Sequence, residues 1–267
     1  MRMNRYLFKT LSLSLVLSTV SGLYALNFSQ VAGYPHVEGL FLLVFGGIYR
    51  SDSVNLIQFL IFCVPQFLFI LILAGYMYED FKISAVYVFT RNYSRRKWFL
   101  EKSKHLFLYS ITYVLMQLVV IYLFGKFTVH PLNQDAFLLI VTWQFAAMIL
   151  LNFFFIMSAN LLVLKLGSSI GLLSTYVFCI ALYTLVLIDS KTSRALFAKV
   201  NPVSNAMLIW HDHSLIIQFY EDFMLGFIKD FRLSFSLIYL LVLNLFLILG
   251  GAVITNNADI INFEKEA

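Results

Sequence analysis

Six stretches of roughly 20 apolar residues, none with a charge near its centre, decide what this chain can become. They fall at 7–28, 56–78, 106–124, 136–164, 168–188 and 233–254. A bilayer core about 30 Å thick is crossed by about 20 helical residues at 1.5 Å each. The sequence therefore predicts an all-α membrane protein with six transmembrane helices in a single domain, 1–267. Composition agrees: the chain is 61% hydrophobic and 12% charged, whereas soluble domains run near half apolar and a quarter charged. A water-soluble fold would expose more carbon than it could bury. The fourth stretch is long enough to tilt or project. In the second, Pro65 lacks an N–H and crowds the carbonyl of Ile61, which predicts a kink.

Two other apolar runs are too short or irregular to span. Residues 39–49, between Glu38 and Arg50, suit an interfacial or re-entrant helix. Residues 215–231 are amphipathic: Ser214, Gln218, Glu221, Asp222 and Lys229 recur near helical spacing, with Ile216, Phe219, Phe223 and Phe227 opposite. Two readings stay open there, a helix on the membrane surface or an outward extension of the sixth span. The first span follows Arg2 and Arg5 as a signal peptide would, but no clear small-x-small cleavage site follows, so it is expected to be retained.

Basic residues near the span ends set the expected orientation. With both termini cytoplasmic, the inner segments hold Arg2, Arg5, Lys9, Lys82, Arg91, Arg95, Arg96, Lys97, Lys102, Lys104, Lys165 and Lys265, and the short outer loops only Arg50 and Lys126. The long stretch 189–232 balances five bases against five acids and lies outside on this reading.

Several chemistries are missing. The chain has no GxxxxGK[ST] phosphate loop, no HExxH zinc helix and no GxSxG nucleophile turn. Ion-coupled carriers place charged or histidine side chains at membrane depth, and none is found at mid-span. His211-Asp212-His213 is a weak metal signal, and no metal site is expected. His36, His105 and His130 stand alone and read as interfacial. Cys63 and Cys179 sit in apolar stretches as small hydrophobes. Nothing points to nucleic acid.

Polar groups within the spans either pack helices together or line a path: Gln58, Gln66, Gln117, Gln144, Asn152, Asn160 and Asn244. Gln66, Gln117, Asn152 and Asn160 are the candidates for a substrate path. Small residues at Ser14, Ser18 and Gly22, and in the run from Gly167 to Gly171, permit close helix approach.

The expected cytoplasmic loop between the second and third spans, 79–104, concentrates the charge, with seven bases against three acids and aromatics interleaved. One reading is an anchor on anionic headgroups with Trp98 at the interface. The other is a docking element for a cytoplasmic partner. There Val86, Tyr87, Phe89 and Tyr93 would be apolar contacts, and Arg91, Arg95 and Arg96 would pair with acids.

The topology, together with Thr90-Arg91-Asn92-Tyr93-Ser94-Arg95-Arg96-Lys97-Trp98 followed by Lys102, resembles permease subunits of the type-2 ABC exporter class. The stretch is similar to the R-x-x-S-R-x-x-W/I…K pattern of their coupling helix. Asn201-Pro202 in the last outer loop is similar to a recurrent Asn-Pro there. The chain departs in having only about six residues before its first span, which shrinks the usual elbow helix to a turn near Arg2 and Lys9. The resemblance implies a non-enzymatic transport subunit in a bacterial plasma membrane, exporting a hydrophobic or amphipathic substrate such as a peptide, lipid or drug, with antimicrobial-peptide export or immunity in view. It also implies a cytosolic ABC ATPase that binds the ATP and Mg, a second permease subunit identical or homologous to this one, and a path built from the second and fifth spans. The alternative from another class is a non-transporting membrane assembly or sensor-partner protein.

Overall fold

The computed structural model describes residues 2–32, 36–49, 56–88, 94–128, 134–191, 197–217 and 227–256. Every regular element among them is helical. In chain order they are α1 (Arg2–Ala32), α2 (Val37–Phe45), α3 (Leu56–Leu73), α4 (Tyr76–Val88), α5 (Arg95–Phe127), α6 (Gln134–Leu166) and α7 (Ser168–Lys191). There follow α8 (Pro202–Asn205), a 3-10 turn (Leu208–Trp210), α9 (Ser214–Ile217) and α10 (Leu233–Asn256). Six helical units, with α3 and α4 counted as one, are long and apolar enough to cross a membrane: Arg5–Phe28, Leu56–Lys82, Arg95–Phe127, Ala136–Leu166, Ser168–Ser190 and Leu233–Asn256.

Helix α6 is the hub. Its apolar window is 83% buried, against 22–44% for the other five, and it packs on α2, α3, α4, α5, α7, α8 and α10. Its turn into α7 is made by Gly167 at φ 82°. A Cβ on Gly171 would lie 2.4 Å from the Val163 Cα, so the small-residue run lets the two helices close on each other. The first small-residue set works similarly between α1 and α5. Ser14 Oγ donates to the Tyr113 carbonyl at 2.7 Å, and Gly22 lies against the Phe124 ring.

Helix α2 has nine residues, all buried, and packs against α1, α3, α5 and α6. At 1.5 Å per residue it is about 14 Å long, too short to cross a bilayer. Glu38, expected to bound the apolar run from outside, lies within the buried helix. Just after α2, Gly47 takes φ 112° and lies under the Met207 side chain, where a Cβ would sit 2.4 Å from Cγ.

This contact opens a cap built from the end of α2 and residues 197–217 and 227–231. Ile209 N–H donates to Gly46 O at 3.1 Å, and Trp210 Nε1 donates to Ile48 O at 2.6 Å. Asn201 N-caps α8 through Val203 N–H and donates from its amide to Leu182 O, so the Asn-Pro pair fastens the cap to α7. Residues 227–231 fold back: Ile228 N–H donates to Trp210 O, and Asp212 N–H to Phe231 O. The backbone turns at Asp230 (φ 61°) before α10 starts at Leu233. The amphipathic run therefore does not extend the sixth span outward as one helix. Of that run, 218–226 lie outside the described residues.

The second span stays helical through Pro65 and is interrupted at Ala74–Gly75. Asn160 of α6 fills the interruption. Its Nδ2 donates to Leu73 O and its Oδ1 accepts from Met77 N–H, each at 2.8 Å. Those are the two backbone groups an unbroken helix would pair with each other. One side-chain amide thus replaces one rung of the ladder.

Candidate partner-coupling site

Helix α5 is 33 residues long, about 50 Å, so some 20 Å of it extends beyond a bilayer core. The extension is its N-terminal part, before the apolar stretch at 106–124. Ser94 is the N-cap without a side-chain capping bond, and Arg95, Arg96 and Lys97 form the first turn, which has no acid. Three bases at the positive end of a helix dipole oppose it, at about 0.3–1 kcal/mol each. Arg96 and Lys97 of this turn are exposed, so it presents positive charge to its surroundings. The stretch 79–104, expected to be a loop, is helical through Val88 and again from Arg95.

Below this turn α4 and α5 are clamped together. Asp80 Oδ2 accepts from Trp98 Nε1 at 2.8 Å and pairs with Lys102 Nζ at 3.0 Å. The Trp98 and Phe81 rings meet edge to face at 5.4 Å. Trp98 is 3% exposed, so it packs inside the protein and is not an interfacial anchor. Tyr6 of α1 donates to Glu79 Oε2 at 2.6 Å and sets its ring on Tyr76. The Tyr76 hydroxyl pairs with His105 Nδ1 at 3.0 Å, so that histidine is an inter-helix partner. Helix α1 is continuous from Arg2. Its second turn meets α4 through Tyr6.

The sequence candidates distribute as follows. Arg95 and Arg96 are in the first turn of α5, with Arg96 exposed. Val86 and Tyr87 lie in the last turn of α4, their side chains outside the description. Phe89, Arg91 and Tyr93 lie outside the described residues. Of the path candidates, Gln66 and Gln117 come together around a cavity of about 10 Å³ with Ser18, Ser21, Ile61, Pro65 and Met148. That is room for about one water. It sits where Pro65 leaves the Ile61 carbonyl without its helical donor. Gln66 Oε1 is buried there without a partner. Asn160 is spent on the helix break. Asn152 is buried on α6 with neither amide atom bonded among the described residues.

His211 cannot serve a metal as it stands. Nδ1 faces Met207 O at 2.9 Å, Nε2 faces Ser236 Oγ at 2.7 Å, and the ring stacks on Phe231 at 4.3 Å. A carbonyl takes only a donor, so Nδ1 carries the proton and Nε2 accepts from the serine. Burial pushes the imidazole down to about 4. No group of three or more potential metal ligands occurs among the described residues.

Asp80, Glu79, Tyr6 and His105 were not singled out from sequence. The available signal was modest: acids at the end of the second span and bases at the start of the third.

Six such helices, one of them a buried hub, fit a multi-pass membrane protein. Within that class, the family model "Protein of unknown function (DUF2705)" matches residues 15–261, and the chain belongs to that family. No curated protein and no solved structure matches it.

Proposed function

We propose that this chain is the membrane-spanning permease subunit of an ATP-driven exporter in a bacterial plasma membrane, of the type-2 ABC class. It works as a dimer of permeases with a separate cytosolic ATPase, which holds the ATP and Mg. The single observation that carries the reading is the basic first turn of α5, set against its own helix dipole on a clamped pair of helices. Both termini are cytoplasmic on this reading, and the cap around Trp210 lies outside. The ATPase engages 86–97 and displaces α4, and the Asn160-filled break lets α4 turn relative to α3. The cargo is hydrophobic or amphipathic, a peptide, lipid or drug, because the spans carry no charge at mid-depth.

The test is co-reconstitution with a candidate ABC ATPase, sought first among the genes adjacent to this one. Expected outcomes are ATP hydrolysis stimulated by the permease and loss of that stimulation in Tyr93→Ala, with every charge kept and insertion unchanged. The double change Arg95→Lys, Arg96→Lys should be intermediate, because lysine lacks the planar fork for a carboxylate. Full coupling in Tyr93→Ala, Phe89→Ala and Val86→Ala alike would refute docking and leave the segment as a charge anchor.

A further inference from the structure

A second site lies away from the coupling turn. Leu100, Ser103, Lys104 and Phe107 of α5 face Leu241, Asn244, Leu245 and Ile248 of α10, with Leu150 and Phe153 of α6 as the floor, around a cavity of about 350 Å³. Both walls follow the i, i+3, i+4, i+7 spacing of one helix face, so the groove is about 10 Å long. The volume lies within the range of small-molecule sites.

Its chemistry selects the occupant. Ser103 Oγ is spent on Phe99 O, and the Asn244 amide nitrogen on Leu150 O and Leu240 O. The Asn244 oxygen is buried and inaccessible. A ligand with several hydrogen-bonding groups would therefore find them unanswered, whereas a hydrocarbon chain loses nothing. The one charged group in the lining is Lys104, which is exposed and makes no ion pair with a described residue. Leu241, Leu245 and Leu249 on the same helix are each about half exposed, so the groove opens sideways beside a surface that suits lipid. Its α5 wall starts at Leu100, one turn beyond the exposed Arg96 and Lys97.

We propose that this groove is a binding site for an anionic phospholipid, one acyl chain lying between α5 and α10 and the phosphate on Lys104. A long lysine stem can lie along the wall while its ammonium reaches the headgroup level. Basic positions between spans at that level recognise anionic headgroups, at about one base per fivefold in affinity. The inference rests on the chain being a membrane protein and is independent of the transport reading.

The experiment uses the full chain alone, without any ATPase, in nanodiscs of phosphatidylcholine carrying trace spin-labelled phosphatidylglycerol or spin-labelled phosphatidylcholine. The immobilised fraction is read by electron paramagnetic resonance. Wild type should hold the anionic lipid about fivefold more strongly than the zwitterionic one. Lys104→Gln should lose that preference, and Lys126→Gln, an exposed base outside the groove, should keep it. Leu245→Trp, at a half-exposed position, should fill the groove and reduce the immobilised fraction of both lipids while circular dichroism and melting stay unchanged. Preference retained in Lys104→Gln, or immobilisation unchanged in Leu245→Trp, overturns the site. So does efficient disulfide-linked dimerisation of Leu245→Cys with lipid excluded, which would make the occupant a second copy. Since no step involves ATP, failure here leaves the exporter reading standing, and failure of ATPase stimulation leaves this site standing.

Discussion

The two ends of the bundle are held together by opposite kinds of contact. The cap at 197–217 and 227–231 is held mainly by buried neutral groups, the Trp210 indole on Ile48 O, the Ile209 amide on Gly46 O, and His211 between Met207 and Ser236, with the Asp189 and Asp212 carboxylates accepting from the Phe197 and Asp230 N–H groups. The clamp at the α4–α5 end uses ionisable and partly exposed groups, with Asp80 23% and Lys102 17% exposed. Shape holds one end and charge holds the other. A neutral, packed region resists salt and binding partners, whereas a charged one can be reached by both. On the proposed reading the basic end is the responsive surface and the cap the rigid one.

The largest effect should come from breaking the cap. Trp210 is fully buried and its ring is among the largest in the core. Trp210→Ala removes that volume and orphans the Ile48 carbonyl, at about 3–5 kcal/mol. Thermal unfolding in detergent should show a large drop in Tm. A loss below about 1 kcal/mol would mean the cap is loosely packed, and the contrast would collapse.

Acid should separate the two ends next. His211 is held neutral, pushed down to about 4 from an unfolded value near 6.5. Between those values the unfolded chain binds a proton that the folded one refuses, so stability falls as pH falls across the window. It is complete above about 6.5 and has declined by roughly 3 kcal/mol near pH 4. Unfolding followed from pH 7 to 4 should show this slope, and His211→Gln, which cannot titrate, should flatten it. An unchanged slope in that variant would assign the acid sensitivity elsewhere.

Asp80→Asn tests the charged end. It keeps a Trp98 acceptor but removes the ion pair with Lys102, a loss of about 1–2 kcal/mol. The difference from wild type should shrink as salt rises from low to about 0.5 M, since exposed charge is screened. A salt-independent loss would place the clamp with the cap, as a packed contact.

The spans were legible because membrane insertion reads composition over 20 residues, which needs no tertiary knowledge. The break in the second span was not. Pro65 is the local signal, and the interruption occurs ten residues later at Ala74–Gly75, where Asn160, more than eighty residues away in sequence, supplies the missing rung. No window around residue 74 contains that amide. The start of α5 was hidden for a different reason. Arg95, Arg96 and Lys97 read as loop or anchor because helix starts favour acids, yet Trp98 packing on Phe81 and Asp80 outweighs the unfavourable dipole. His211 read as part of a loop with only a weak metal signal, because its burial depends on Phe231 and Ser236, which the turn at Asp230 brings back.

The smallest effect on stability carries the most information about mechanism. Most helix glycines here are needed for space: a Cβ on Gly22, Gly125, Gly171 or Gly251 would come within 2.3–2.9 Å of a neighbour. Gly75 is different. Its nearest contact would be Glu79 Oε1 at 3.7 Å, and its φ is ordinary, so alanine fits without strain. What glycine contributes at 75 is backbone freedom beside the Asn160-filled break. Gly75→Ala should therefore stabilise the protein by up to about 1 kcal/mol, through helix propensity and a less mobile unfolded chain. The same change should lower ATPase stimulation in the reconstituted pair if α4 turns relative to α3 during coupling. Higher Tm with lower coupling is the signature of a hinge. A rise in Tm with coupling unchanged would make the break a static packing feature. A fall in both would show that the methyl group does not fit, contrary to the geometry at Gly75.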